Sequence, residues 1–192
     1  MNIFILHEHP KTAAEMQCDK HVVKMILESA QMLSTAHRML DGEKIKVPSK
    51  SGKRMVSKYV HPKPSFDSVL YGAVHHNHPC TVWTRETSAN YYWHYDHFRA
   101  LSYEYEYRYN KKHKSWEKLR DILSECPKNI PTGSLTQFAL AMNHQPQCII
   151  EDDPVESYRR YYHTKIEYMP MVWTRRDPPD WFRKELLNEQ SG

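Results

Sequence analysis

Glycine is scarce, with five in 192 residues. Neither GxxxxGK[ST] nor GxGxxG occurs, so phosphate binding through a P-loop or a Rossmann turn is excluded and no cofactor is expected. No run of about 18 apolar residues is present, so no membrane partner is expected. The start, "MNIFILHEHP", has one short apolar run and no basic flank, unlike a secretory signal. A cytoplasmic location is the default expectation. Cysteine is also sparse: Cys18, Cys80, Cys126 and Cys148 read as free thiols or ligands rather than a disulfide framework.

What is present describes an ordinary globular chain. Hydrophobic residues make up 40% and charged residues 26%, enough apolar material for one core and too little charge for disorder. One domain over 1–192 is expected. Tyrosine and histidine stand at 13 each and tryptophan at 5. Amphipathic aromatics in that number suit a half-wet nucleic-acid groove, and equally a tyrosine-built core.

The patterning predicts a mainly α fold with a short extended segment at "NIFIL" and a long basic loop. Pro10 fits a helix start. Residues 11–40 carry Met16, Val23, Ile26, Leu27, Ala30, Leu33 and Leu40 at helical spacing, with Gln17, Lys20, Lys24, Glu28, Gln31, Thr35 and Arg38 on a second stripe. "DG" at 41–42 ends that helix. Residues 41–64 read as a mobile loop, rich in lysine against Asp41 and Glu43 alone, and suited to clamping a phosphate backbone through Lys50, Lys53 and Arg54. A solvated excursion is the plain alternative. A long helix follows from about 82 to 109, with "YEYEYRY" kept helical by the Glu104–Arg108 spacing. Further helices are expected at 114–125, within "PTGSLTQFALAMN" and from Pro154 onward. The tail, 170–192, should be extended and packed down.

Chemistry concentrates in "CDKHVVK", residues 18–24. Lys20 and Lys24 lie one helical turn apart with His21 beside them. That set would hold a phosphate and keep His21 neutral, available as a base. A solvated helix face explains it as well. "HHNHPC" places Asn77 and His78 before a helix start, as substrate contacts or as a capping turn. "SYRRYYHTK" interleaves Tyr158, Arg159, Tyr161, Tyr162 and Lys165, a mixture that stacks on bases and meets phosphates. Cys18, His21, His78 and Cys80 form a conceivable zinc set, although their spacing matches no common pattern, so no metal is assigned.

In layout the chain resembles the phage pyrimidine-dimer DNA glycosylases of the endonuclease V type. The matching parts are "KHVVK" on the first long helix and the aromatic-basic "SYRRYYHTK" near the end. "CDKHVVKMILESAQMLSTAHR" with "NHPCTVW" also resembles an uncharacterised family of phage proteins. The first resemblance implies an all-helical DNA-acting enzyme that works on a flipped-out base and attacks with an amine. The amine candidates are Met1, Lys20 and Lys24, because Asn2 is too large for methionine removal. The acid of the glycosylase motif is absent from its place, where His21 stands, so Glu15 or Glu28 must supply it. Enzymes of free nucleotides and non-catalytic DNA binders are the alternatives.

Overall fold

The computed structural model describes residues 1–183; of the expected 170–192 tail, 184–192 lie outside the described residues. The fold is mainly helical, and no described helix is long and apolar enough to cross a membrane. The elements run α1 (Pro10–Glu15), α2 (Asp19–Leu40), β1 (Glu43–Pro48), β2 (Met55–Val60), α3 (Pro64–Asp67), α4 (Pro79–Thr84), α5 (Ser88–Tyr109), α6 (Lys114–Leu123) and α7 (Pro154–His163).

The two 22-residue helices, α2 and α5, pack on each other, with α1 against α5 and with α4 and α6 against α2. The extended start, Ile3–Leu6, is buried among them. Asn2 Oδ1 accepts the N–H groups of Ile3 and Phe4, and Phe4 sits at φ 56°. A left-handed backbone is unfavourable for a bulky residue and persists only where surrounding contacts fix it.

The helix expected over 11–40 is broken. Trp173 Nε1 donates to the Met16 carbonyl at 2.9 Å, and the N–H of Asp19 donates to the Val172 carbonyl at 2.8 Å. The 170–174 segment thus takes backbone partners that an unbroken helix would use itself. α2 restarts with Asp19 in its first turn, where a carboxylate meets the positive helix end. The buried face also differs from the expected stripe. Val23 and Leu27 are exposed, while Gln17, Glu28, Thr35 and Arg38 are buried. The four buried polar side chains named here each make hydrogen bonds: Arg38, for one, donates to the carbonyls of Tyr59, Asp67, Leu70 and Tyr71 and to the Asp67 carboxylate.

Residues 41–64 are not a free loop. β1 and β2 form an antiparallel hairpin with Glu43 opposite Val60 and Pro48 opposite Met55. Alternation puts Ile45 and Val47 on the half-covered face and Lys44 and Lys46 on the open one. Gly42 makes the junction possible, since a Cβ there would stand 2.3 Å from the Arg38 carbonyl oxygen. The helix expected within 131–143 does not form; that stretch is irregular and contributes a buried Met142. The long helix expected from 82 is also split, at 85–87, with Thr87 capping α5 through Asn90 N–H.

One buried ion network ties α1, α2, α5 and the tail. The Arg108 side chain has no solvent exposure and pairs with Glu104 at 2.7 Å and Asp19 at 2.9 Å. Arg176 joins it, 2.8 Å from Glu104 and 3.2 Å from Glu15.

Candidate functional site

A cleft of about 460 Å³ opens where the N-terminal half of α2 meets the chain start, the α4 cap and the end of α7. Met1, Glu28, Lys24, His21, His78 and Lys165 line it, with Phe4, Tyr161 and His144 among its aromatic walls. Glu28 is at the centre. Its Oε2 accepts the Asn2 N–H at 2.9 Å and lies 3.8 Å from the Met1 amine; its Oε1 lies 3.5 Å from Lys24 Nζ. Glu28 is 9% exposed and the Met1 side chain is buried too, so that pair meets with little screening, whereas the exposed Lys24 ammonium is screened by solvent.

His21 is stacked on Phe4, centroids 4.4 Å apart, and its Nδ1 is bonded to the Tyr162 hydroxyl at 2.8 Å. Burial, aided by Lys24 and Lys165, lowers its pKa to about 3. The ring is therefore neutral at pH 7, but burial is the main cause, and the cations that add to it are Lys24 and Lys165. A group with that pKa is a weak base, so His21 serves better as a neutral hydrogen-bonding wall than as the expected proton acceptor. His78 caps α4 by accepting the Cys80 N–H. Burial lowers its pKa, and the Met1 amine adds to the effect. Lys165 Nζ stands 3.6 Å from the centre of the Tyr161 ring, and burial lowers its pKa too.

Of the residues picked out by sequence, Met1, His21, Lys24, Glu28, His78, Tyr161 and Lys165 converge here. Lys20 and Asn77 are exposed and do not line the cleft. Tyr158 and Tyr162 cannot stack on a base from solvent, since both are fully buried. Tyr158 donates to the Ala139 carbonyl, and Tyr162 accepts the Cys18 N–H. Arg159 is engaged with the Leu6 carbonyl and Trp181. Lys50, Lys53 and Arg54 are exposed at the hairpin turn. The hairpin is rooted at the far end of α2, roughly 30 Å from His21 at ~1.5 Å per residue. Cys18, His21, His78 and Cys80 do not converge as metal ligands among the described residues. Burial raises the Cys80 thiol pKa to about 11, so the thiol is protonated at neutral pH.

Sequence reasoning did not find Phe4, His144 or Tyr168 as cleft residues. Phe4 lies in an apolar run and carries no local signal for its left-handed backbone. A larger cavity, about 650 Å³, lies between α1 and α5. Its carboxylates Glu15 and Glu104 are already paired with Arg176, which leaves little uncompensated charge for chemistry.

Comparison with known proteins gives no matching family model, no matching curated protein and no matching solved structure.

Proposed function

We propose that this protein is a DNA-acting enzyme of the DNA glycosylase class that receives a flipped-out nucleotide in the α2 cleft. The observation that carries the reading is the Met1 amine 3.8 Å from the buried Glu28 carboxylate, inside a cavity edged by Lys24 and Lys165. An amine nucleophile needs a group beside it to take its proton, and Glu28, 3.8 Å away, has only to close by under about 1 Å to reach hydrogen-bonding distance. In the proposed step the amine lone pair attacks C1′ and the bond from C1′ to the base breaks. Glu28 first takes a proton from the Met1 ammonium and passes it to the departing base. It then takes a second proton from the attached amine and gives it to the ring oxygen as the C1′–O4′ bond breaks, which leaves a protonated imine and the Glu28 carboxylate restored. Lys24 and Lys165 hold the flanking phosphates, while His21, His78 and the Phe4–Tyr161 wall contact the base. Unstacking costs a few kcal/mol, which such contacts return.

A second reading, an enzyme of free or modified nucleotides, is favoured by one observation. The exposed hairpin cations are rooted at the opposite end of α2, and a free nucleotide needs only the cleft. Borohydride trapping on an abasic duplex tests the first. A covalent adduct is expected, and it should vanish when the Met1 amine is acetylated or preceded by an added residue. An adduct that instead vanishes in Lys24→Ala or Lys165→Ala moves the nucleophile to that lysine. Tight DNA binding with no adduct on any damaged substrate overturns the imine route.

A further inference from the structure

His37, Asp41 and His61 meet where the end of α2 faces the chain leaving β2. One ligand-type atom from each lies within 4.8 Å of the other two. His37 and Asp41 are one helical turn apart, and both histidines are more than nine-tenths buried, at 1% and 7% exposure.

The hydrogen bonds fix the His37 tautomer. Tyr91 gives its hydroxyl proton to the Leu123 carbonyl at 3.0 Å, so its oxygen accepts from His37 Nε2 at 2.9 Å. His37 Nδ1 is then an unprotonated lone pair, buried and with no hydrogen bond of good geometry, although the Glu125 carbonyl stands close enough to the ring to favour its protonated form. His61 Nε2 is likewise buried without a hydrogen-bond partner, 3.9 Å from Asp41 Oδ2. Two buried, unbonded ring nitrogens beside a carboxylate are costly unless something takes them up. Outer supports are present as well. The backbone N–H groups of Lys128 and Asn129 hold the Asp41 carboxylate at 2.8 and 2.9 Å, and Tyr91 holds the back of His37. Residues that ligate metals commonly carry such partners.

We infer that His37 Nδ1, His61 Nε2 and the Asp41 carboxylate bind a divalent transition-metal ion of the zinc type. Imidazole ligands suit zinc, cobalt or nickel, whereas magnesium and calcium take oxygen. The Lys63 N–H donates to His61 Nδ1 at 3.2 Å, which places the ring proton on Nε2 in the metal-free state. Loading moves that proton to Nδ1 and turns the Lys63 N–H toward solvent, one hydrogen bond exchanged for a metal–nitrogen bond. The site is separate from the cleft, because His37 lies about 24 Å beyond His21 at ~1.5 Å per residue. It pins the root of the basic hairpin to α2, so its effect is on stability and on hairpin position.

The test uses the full chain, stripped with a chelator and titrated with Zn²⁺ alone by calorimetry and with Co²⁺ by visible absorption. One equivalent is expected to bind, with cobalt bands of a nitrogen–oxygen site and a melting temperature that rises with metal and falls back with chelator. His61→Gln and Asp41→Asn should each weaken binding at least tenfold, while His75→Gln, on the exposed turn before α4, should leave it intact. Should either variant fail to fold, X-ray absorption of the zinc-loaded natural sequence decides by counting two imidazoles. No binding at micromolar metal, sulfur among the ligands, or full binding in both variants overturns the site.

Discussion

The two ends of α2 carry the same kind of side chain in different company. His21, near the start, borders an open cleft; His37, near the end, is enclosed between Tyr91 and His61. Burial lowers both pKa values, to about 3 and about 4. The charges nearby differ in sign. Those that act on His21, from Lys24 and Lys165, are positive, and the carboxylate that acts on His37, from Asp41, is negative. On the functions proposed above, a neutral imidazole would serve in both, as a hydrogen-bonding wall in the first and a lone-pair donor in the second. Burial sets the protonation state, and the neighbours decide what the ring can meet.

The largest expected effect separates the ends by chemistry. Glu28→Gln should slow borohydride-trapped adduct formation by ~10²- to 10⁴-fold in single-turnover assays, the usual weight of a proton-transferring group, with DNA affinity little changed. An unaltered rate would deny the cleft its carboxylate and weaken the contrast at its root.

Next comes the anchoring of the N-terminal end. Arg108→Ala leaves Glu104 and Asp19 buried with reduced compensation. A loss of about 3–5 kcal/mol in urea unfolding is expected. A loss under about 1 kcal/mol would mean that Arg176 holds the network alone.

Acid should act through the buried rings. The folded-state pKa of His21 lies below its ordinary value of 6.5, so folding favours the neutral form. The full contribution is present above about pH 6.5 and is lost as pH falls toward 3. At pH 5 the loss from one such histidine is about 2 kcal/mol. His97, lowered to about 3 by burial, adds to it. Denaturant unfolding should show stability falling from pH 7 to pH 5, with a shallower fall in His21→Gln.

Charge reversal of Lys50, Lys53 and Arg54 together should weaken DNA binding evenly across sequences and lower the salt slope by about 3. Unchanged affinity at low salt would confine nucleic-acid contact to the cleft end. The smallest effect belongs to Lys20→Ala, expected within about 0.5 kcal/mol on stability and silent in trapping, while Lys24→Ala, one turn on, should impair it.

Legibility followed how local each signal was. α6 and α7 announced themselves by periodicity and by Pro154 behind a capping Asp153, and the Glu104–Arg108 pair separated helix from strand in "YEYEYRY". The hairpin was hidden because its alternation is short and its surface is lysine-rich, so charge masked the period of two. His37 and Asp41 are visible as a helical pair in retrospect, but nothing in the sequence joins them to His61. The cleft was half legible. "CDKHVVK" gave His21 and Lys24, while Lys20 is exposed and does not line the cleft.

The sequence by itself determined the mainly helical character, the absence of a membrane-length apolar helix and the identity of most ionisable groups in the cleft, because these depend on composition and on neighbours three or four residues apart. Tertiary structure alone decided the break at residues 16–18, the burial of Tyr158 and Tyr162, and the meeting of Met1 with Glu28 and of His37 with His61. Each of those depends on partners far away in the chain: the tail at Trp173 takes the backbone groups of the broken helix, and the buried tyrosine hydroxyls are bonded to residues remote in sequence.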